Sequence, residues 1–240
     1  MQVNEPLISV IIPVYNEADN IEPTVREITD TFGADPEYLE ILFVDDGSSD
    51  GTLERIREAA EKHPVVHWIS FDRNYGQTAA FDAGLRAGRG KYLATMDGDL
   101  QNDPADLPLL LKSLDAADLV CGYRRRRSDT IIRKISSRIA NGVRNWATGD
   151  TIIDVGCSLR VMRRECIEKV KLYEGMHRFF PTLVKMEGFR VIQIPVNHRG
   201  RMHGRTKYNI TNRLFKALCD LFAVLWMQRR HLRYVIREKN

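Results

Sequence analysis

Three aspartates and a glutamine crowd the stretch TMDGDLQND at residues 95–103, directly after an apolar run that predicts a buried strand. Acidic groups at the end of such a strand are costly to desolvate unless a cation or hydrogen-bond donors compensate them. Gly98 lets the backbone turn sharply, so Asp97 and Asp99 can face one ion, with Gln101 offering a further oxygen. A few hard oxygen ligands favour Mg²⁺ or Mn²⁺ shared with the phosphates of a substrate. The alternative is a polar turn whose acids cap the following helix.

A second acidic loop, VDDGSSDGT, follows another predicted strand. Ser49 and Asp50 are typical caps for a helix that begins near Thr52. Capping leaves the adjacent pair Asp45 and Asp46 unexplained. An acid in this position can hydrogen-bond a ribose hydroxyl or a base edge, as acids do at nucleotide sites.

In the sequence IIPVYNE, the first predicted strand ends and the polar residues YNE follow it. Pro13 stiffens the exit from the strand, because its ring restricts the backbone. Tyr15 could stack on a base and Glu17 could hydrogen-bond to it, whereas the alternative for Tyr15 is ordinary packing in the core. This loop is therefore a candidate part of a nucleotide pocket.

Strand-length apolar runs alternate with amphipathic segments in the first half of the chain. The runs are residues 8–14, 40–46, 66–71 and 91–97, and the amphipathic segments are residues 18–32, 51–62 and 76–88. This alternation predicts an α/β fold with one mostly parallel sheet and helices on both faces. A helix at 104–116, a strand at 118–123, a basic helical region at 129–148 and strands at 158–164 and 188–199 are expected to follow.

Ligands of open α/β sheets bind at the carboxyl ends of the strands. Four polar loops, PVYNE, VDDGSSDGT, FDRNYGQTAA and DGDLQ, each follow a predicted strand, and their convergence on one edge would make a site. None of them matches GxGxxG or GxxxxGK[ST], so neither a Rossmann dinucleotide site nor a P-loop is supported. A nucleotide would have to be held in another way.

Composition narrows the functional class. The formal net charge of +4 is modest for 240 residues, but basic residues concentrate at 122–127 and 227–239, which favours phosphate-bearing partners. The four cysteines include no CxxC pair, so neither a zinc site nor a disulfide framework is indicated and a reducing cytosol is the default. No apolar run approaches the roughly 20 residues that span a bilayer. A secretory signal is likewise not indicated.

Five motifs in this order, SVIIPVYNEADNI, VDDGSSDGT, NYGQTAAFDAGL, MDGDLQNDP and HGRTKY, resemble the family-2 glycosyltransferases. The resemblance is to the branch of dolichol-phosphate mannosyltransferases and polyprenyl-phosphate glycosyltransferases, and it runs from about residue 7 to 227. It implies a GT-A fold, a nucleotide-sugar donor, a divalent cation, Mg²⁺ or Mn²⁺, and inversion at the anomeric carbon. The positions that match the metal-binding DxDxQ are Asp97, Asp99 and Gln101, and those that match the nucleotide pocket are Pro13, Tyr15, Glu17 and Asp46.

The resemblance also assigns residues in the second half of the chain. It places Arg124, Arg133, Ser137 and Arg138 near the acceptor phosphate or the donor diphosphate, Asp154 and Arg160 at site positions, and Arg201, Lys207 and Tyr208 in the pattern R-x-x-G-x-S-K-Y. Thr206 replaces the usual serine of that pattern and keeps the hydroxyl. Asp99, Asp154 and Arg138 are expected to take part in catalysis. The arginines at 125–127 are expected instead to form a solvated face.

One departure concerns the sequence GMHRFF. His177 and Arg178 lie where many relatives that glycosylate hydroxyl groups carry acidic residues, one of which serves as general base. A phosphomonoester acceptor is mostly the dianion at neutral pH, so it can attack without losing a proton. The expected reaction is transfer of a hexose from GDP-mannose or a UDP-sugar to a polyprenyl phosphate. The alternatives are transfer to a hydroxyl of a saccharide or glycolipid and, more remotely, a phosphate- or RNA-binding module, which would leave the DGD loop without a role.

The last segment predicts an amphipathic helix followed by a basic tail. The expected division is a catalytic domain at 1–208 and a membrane-surface or interface element at 209–240. Apolar and aromatic residues at helical spacing can lie in the headgroup plane while arginines contact anionic lipid. The alternative is a helix packed on the catalytic domain or on a second subunit. A peripheral position on the cytoplasmic membrane face is expected, with a separate membrane-protein partner as a further possibility and no nucleic acid.

Overall fold

The computed structural model describes residues 6–124, 142–200, 210–232, 234 and 237–238, with only the backbone described at 210–217. Within these ranges seven strands form one sheet in the order β3-β2-β1-β4-β6-β5-β7. The strands are β1 (Ile8–Val14), β2 (Leu39–Asp45), β3 (Val66–Ser70), β4 (Tyr92–Thr95), β5 (Leu119–Arg124), β6 (Arg160–Arg163) and β7 (Val191–Val196).

The sheet is mixed but mostly parallel, which confirms the predicted fold class. Strand β6 runs antiparallel to both of its neighbours, β4 and β5, and every other pairing is parallel. Because β6 is reversed, the residues that precede it reach the same edge as the residues that follow the parallel strands. This reversal brings a second stretch of the chain to that edge.

Helices cover both faces of the sheet. They are α1 (Ile21–Phe32), α2 (Thr52–Lys62), α3 (Gln77–Ala87), α4 (Leu107–Lys112), α5 (Glu165–Lys169), α6 (Phe180–Met186) and α7 (Ile210–Arg230). Residues 142–148 are also helical. In the part of the chain that the structure describes, no helix is both long and apolar enough to cross a lipid bilayer.

The core has two layers, one on each side of the sheet. Val10 and Ile12 of β1 belong to the cluster beneath α1, α2 and α4, whereas Ile11 belongs to the cluster with α3, α5, α6 and α7. Successive side chains of a strand point to opposite faces, so a central strand covered on both sides must be apolar throughout. Gly84 of α3 lets that helix approach closely, since a Cβ there would lie 2.4 Å from Cγ2 of Ile11.

Three predicted elements are shorter than expected. The predicted helix 104–116 is α-helical only in α4 and has 3₁₀ turns on either side. Pro108 lacks the amide that an α-helix would bond to the carbonyl of Pro104, and Leu107 N bonds to that carbonyl instead. The predicted strand 188–199 forms a regular strand only in β7, with an isolated bridge between His198 and Asn102 beyond it, and the predicted strand 91–97 forms one only in β4.

Candidate active site

Polar loops meet at one edge of the sheet, which we call the polar edge. It comprises residues 15–17, 46–51, 71–76 and 96–103, which follow β1 to β4, and residues 150–159, which precede β6. The convergence of the first four loops was predicted from the sequence. The fifth loop reaches the edge because β6 is antiparallel.

The loops after β1 and β2 are tied together by hydrogen bonds. Asn16 N donates to Oγ of Ser48 over 2.9 Å, and Glu17 N donates to Oγ1 of Thr52 over 2.9 Å. Asn16 has a positive φ of 53°, an uncommon conformation that these bonds hold in place. Tyr15 is 36% exposed, so it lies at the surface of the edge and the alternative of core packing is wrong.

Asp46 binds the loop that enters α3. Its carboxylate accepts hydrogen bonds from Tyr75 N over 2.7 Å and Gly76 N over 2.9 Å, and its burial raises the pKa of the carboxyl. The next residue, Gly47, has φ +70°, and a Cβ there would lie 2.4 Å from the carbonyl carbon of Arg73. Asp46 therefore shapes the edge between β2 and α3. Its predicted contact with the nucleotide stays a prediction.

The other acids of this loop are also engaged. Asp45 accepts bonds from Ser48 N over 3.1 Å and from Oγ of Ser70 over 2.9 Å. Asp50 accepts the amide of Thr52, the first residue of α2, over 3.1 Å, but the N-cap residue of the helix is Gly51, which has no side chain to cap it. The side chains of Asp45 and Asp46 thus connect the loop after β2 with the end of β3 and the loop that follows it, a role that local sequence did not reveal.

The DGDLQ loop lies next to these loops and is internally braced. Asp97 N donates to Oδ1 of Asn102 over 2.9 Å, while Oδ1 of Asp97 accepts Nε2 of Gln77 over 2.8 Å. Asp99, which is 8% exposed, accepts the amide of Gln101 over 3.2 Å. The following helical turn is capped by a different acid, Asp103, whose Oδ1 accepts Ala105 N. Helix capping therefore does not account for Asp97 and Asp99. The alternative of a helix-capping turn is not supported for these two residues.

The electrostatics of Asp97 and Asp99, the DxD pair, would favour a bound cation. Burial, together with the charge of Asp99, raises the pKa of Asp97 to about 6, although a hydrogen bond with Ser158 and the charges of Arg160 and Arg124 act in the opposite direction. Like charges so close together are stable at neutral pH only when a cation or donors compensate them. Within the described ranges, no three His, Cys, Asp or Glu side chains cluster as a metal site. Mg²⁺ or Mn²⁺ held here by Asp97 and Asp99 would need additional oxygen ligands, as a substrate diphosphate supplies.

Gln101, the third predicted ligand, turns its side-chain amide toward Arg199. Its Nε2 donates to the carbonyl of Arg199 over 3.4 Å, and Arg199 N donates to the carbonyl of Gln101 over 2.9 Å. The guanidinium of Arg199 also pairs with Glu27 and with Asp103, each at 2.8 Å. Arg199 thus joins α1, the DGDLQ loop and the chain after β7. Sequence reasoning missed it, because a single arginine beyond a strand carries no local signal.

Arg124 and Asp154 form a buried, two-pronged ion pair. Nε of Arg124 lies 2.7 Å from Oδ2 of Asp154, and Nη2 lies 2.9 Å from Oδ1. Their side chains are 15% and 5% exposed. Gly156 N also donates to the same carboxylate, over 3.1 Å. The ion pair fixes the orientation of the Arg124 guanidinium at the end of β5.

Arg160, the first residue of β6, lies beneath the edge. It is 5% exposed, and its Nη1 donates to the carbonyl of His177 over 3.1 Å. Nδ1 of His177 lies 2.6 Å from Oγ1 of Thr78, and Gly175 N donates to the same hydroxyl oxygen over 3.0 Å. The hydroxyl proton can then point to Nδ1, which places the ring proton on Nε2. Arg160, His177 and Thr95 line a small cavity together with Phe81, Leu85, Leu172 and Phe180.

The remaining predicted site residues lie outside the described part of the chain. They are Arg133, Ser137, Arg138, Arg201, Lys207 and Tyr208. Pro13 lies in β1 opposite Val44 and directs the chain to the polar edge. Of the predicted positions that are described, the structure places all of them on or directly beneath this edge.

Comparison with known proteins bears on the family. The profile described as Glycosyl transferase family 2 matches residues 9–171. A dodecaprenyl-phosphate galacturonate synthase from Rhizobium johnstonii is 38% identical over 236 residues, covering 94% of this chain and 70% of its own. An undecaprenyl-phosphate 4-deoxy-4-formamido-L-arabinose transferase from Edwardsiella ictaluri is 36% identical over 220 residues, covering 91% of this chain and 67% of its own.

Solved structures bear on the fold. A mannosyltransferase from Pyrobaculum calidifontis in complex with GDP-Man and Mn²⁺ matches with a TM-score of 0.66 and 23% identity, over 92% of this chain and 64% of its own. A glucosyl-3-phosphoglycerate synthase from Mycobacterium tuberculosis in complex with Mg²⁺ and uridine diphosphate matches with a TM-score of 0.69 and 18% identity, over 93% and 79%. These matches confirm the expected GT-A fold. Together with the sequence matches, they show that the chain is an enzyme of glycosyltransferase family 2.

Proposed function

We propose that this enzyme transfers a sugar from a nucleotide sugar to the phosphate of a polyprenyl phosphate, with inversion at the anomeric carbon and with Mg²⁺ or Mn²⁺. The observation that carries the proposal is that the Asp97 and Asp99 carboxylates share one edge of the sheet with the cations Arg124 and Arg160, whose charges act on Asp97. The choice of acceptor is supported by relatives 36–38% identical to this chain, a dodecaprenyl-phosphate galacturonate synthase and an undecaprenyl-phosphate 4-deoxy-4-formamido-L-arabinose transferase.

The reaction needs alignment and positive charge more than a base. An oxygen of the acceptor phosphate attacks the anomeric carbon, the bond from that carbon to the donor diphosphate breaks, and the nucleoside diphosphate leaves with the bonding electrons. The phosphomonoester is largely the dianion at neutral pH, so no proton has to be removed. A divalent cation at Asp97 and Asp99 would supply charge that stabilises the departing diphosphate. Arg124, oriented by Asp154, would supply a guanidinium fork suited to phosphate oxygens.

His177 fits this scheme better than it fits base catalysis. Its Nδ1 is engaged with Thr78, and its own carbonyl accepts Arg160, so the residue is held within a structural network. A neutral ring with its proton on Nε2 is a hydrogen-bond donor at that atom and cannot accept a proton there. The absence of an acid at residues 177–178 is what a phosphate acceptor allows.

The first test is an assay of the purified protein with Mn²⁺ or Mg²⁺, a short polyprenyl phosphate and a panel of donors. The panel would cover GDP-mannose, UDP-glucose, UDP-N-acetylglucosamine, UDP-galactose and UDP-galacturonate. We expect a glycolipid from one donor, and we expect EDTA to abolish its formation and excess Mn²⁺ to restore it. Product formed only on a saccharide or glycolipid hydroxyl, with the prenyl phosphate inert, would overturn the proposed acceptor. Unchanged turnover in EDTA would overturn the proposed metal.

We further propose that the division at residues 208 and 209 holds and that the second element lies on the cytoplasmic membrane face. In the described part of α7, Leu221 and Val224 are buried in the core, whereas Leu218, Phe222 and Trp226 are 44%, 68% and 65% exposed. The exposed residues recur every four positions, so they share one helical face. Trp146, which is 87% exposed, belongs to the helix at 142–148 that α7 contacts through a bond from Gln228 to Thr148 O.

Vesicle binding tests this surface. Vesicles that contain anionic lipid should sediment the wild-type protein, and a Phe222→Ser/Trp226→Ser variant should stay mostly in the supernatant, because aromatic residues at the headgroup level contribute much of interfacial binding. Trp68→Ser is the control, since Trp68 is 41% exposed on β3 at the far edge of the sheet. Equal sedimentation of all three proteins would remove this face as the membrane contact. If none of the three proteins bound the vesicles, a separate membrane-protein partner would be indicated instead.

A further inference from the structure

Arg144 is a buried arginine without an ion-pair partner among the described residues. It lies in the helix at 142–148, and its side chain is 6% exposed. Nη2 donates to Oδ1 of Asn145 over 2.7 Å and to the carbonyl of Ile152 over 3.0 Å. Nε and Nη1 have no hydrogen-bond partner within the part of the chain that the structure describes. Three of the five guanidinium N–H groups are therefore buried and unmatched.

The acids near Arg144 are committed to other partners. Asp150 accepts bonds from Oγ1 of Thr182 over 2.6 Å and from Nζ of Lys185 over 2.5 Å. Asp154 is held by Arg124. Their charges favour the cationic form of Arg144, yet burial prevails and lowers the pKa of Arg144 to about 10. The guanidinium thus remains charged at neutral pH, while its hydrogen bonds go only to neutral oxygens.

Such an arrangement is costly unless something compensates it. A buried hydrogen-bond donor left unmatched costs about 1–3 kcal/mol, and more when it is charged. A long apolar side chain in the same place would avoid that cost. An arginine retained here is therefore best explained by a group that binds it during function. An anion with several acceptor oxygens, such as a phosphate, matches both the charge and the fork of unmatched N–H groups.

The position of Arg144 suits the acceptor better than the donor. The main charges that lower the pKa of Asp97 are those of Arg160 and Arg124, and Arg144 is not one of these main contributors. The outer face of the Arg144 helix is apolar, with Val143 50% exposed and Trp146 87% exposed. A helix with an apolar outer face and a buried cation on its inner face fits a lipid phosphate.

We propose that the guanidinium of Arg144 binds the phosphate of the lipid acceptor through Nε and Nη1. This inference rests on the proposed function and adds a residue to it that neither the motifs nor the family resemblance assigns. Arg144 would hold the acceptor phosphate from the side of residues 150–154, while Arg124 and the metal carboxylates serve the diphosphate. Arg144 would then determine acceptor affinity without contributing to donor affinity.

The test compares Arg144→Met and Arg144→Lys with wild type. Arg144→Met should raise the KM for a water-soluble prenyl phosphate roughly 10- to 100-fold, the equivalent of one or two charged hydrogen bonds. The KM for the donor should stay within about twofold, and the Tm of the free protein should be unchanged or higher. The KM of Arg144→Lys for the prenyl phosphate should lie between those of wild type and Arg144→Met, because lysine keeps the charge but lacks the forked geometry of the guanidinium. Wild type, but not Arg144→Met, should gain Tm with the prenyl phosphate, and neither should gain it with the matched prenyl alcohol.

Arg164→Met is the matched control. Like Arg144, Arg164 donates from Nη2 to two neutral oxygens, here the main-chain carbonyls of Gly88 and Gly90, but it does so at the opposite end of β4 from the polar edge. It should lose Tm and leave the acceptor KM unchanged. The same pattern in Arg144→Met would show a structural arginine and overturn the proposal. A raised donor KM with an unchanged acceptor KM would assign Arg144 to the diphosphate instead. If wild type neither binds nor glycosylates the prenyl phosphate while it still binds nucleotide, the proposed acceptor fails and this inference fails with it.

Discussion

An Asp99→Asn variant is expected to fold normally and to turn over substrate roughly 100- to 1,000-fold more slowly than wild type. Asparagine keeps the size of the side chain and an oxygen to accept Gln101 N, which lies 3.2 Å from Oδ1 in the structure. It removes one of the two carboxylate charges at the end of β4. The cation and the diphosphate it binds would then be held by Asp97 alone, and the loss of several kcal/mol of charge stabilisation in the transition state follows.

Three measurements make this prediction specific. Turnover should be measured at saturating Mn²⁺, Mn²⁺ affinity by calorimetric titration with and without nucleotide, and folding by the midpoint of urea unfolding. Asp82→Asn is the control, because Asp82 forms an exposed pair with Arg86 on α3 and should change none of the three. Wild-type turnover in Asp99→Asn would remove Asp99 from the metal site. A lowered urea midpoint with normal Mn²⁺ affinity would assign it a structural role.

An Asp154→Ala variant is expected to lower the free energy of unfolding by about 3–5 kcal/mol. The variant keeps Arg124, whose side chain is only 15% exposed, and removes the carboxylate that accepts its Nε at 2.7 Å and its Nη2 at 2.9 Å. It also removes the acceptor of the Gly156 amide. A buried cation without its partner destabilises the folded state by more than the intact ion pair stabilises it. Removal of one partner therefore lowers the stability strongly.

A double-mutant cycle separates the two roles that Asp154 can have. If Asp154 acts by orienting Arg124, then Asp154→Ala, Arg124→Ala and the double variant should reduce kcat/KM to a similar level, because the second change removes nothing further. The double variant should also recover part of the stability that Asp154→Ala loses. Effects on kcat/KM that multiply would instead show that Asp154 contacts the reacting groups independently of Arg124.

Much of the sheet and of the nucleotide side of the site was predictable from local sequence. Strand β1 matches the predicted range 8–14, and β2, β3 and β5 match within one or two residues at each end. Strands β1 and β2 are almost wholly buried, so their runs are mostly apolar and end abruptly at polar loops. The DGDLQ loop was recognisable in the same way, because acidic residues directly after a buried strand cannot contribute to the apolar core and must have another function.

Roles that depend on distant partners were not predictable in this way. Asp46 was expected at the nucleotide, and the structure shows that it also binds the amides of residues 75–76, about thirty positions away. Arg199 was not singled out, although it connects Glu27 with Asp103 across the whole chain. The family resemblance placed Arg124 and Asp154 in the site, but it did not predict that they form an ion pair with each other.

The sequence by itself determined the α/β class, the positions of the first strands along the chain, the acidic loops and the family. It could do so because strand periodicity, caps and short motifs are properties of neighbouring residues. Only the tertiary structure decided that β6 runs antiparallel, which carries Asp154 and Arg160 to the edge already occupied by Asp97 and Asp99. Only the tertiary structure decided, too, that Arg144 is buried without a counter-ion among the described residues. Burial and charge pairing depend on which segments pack together, and no local pattern encodes that choice.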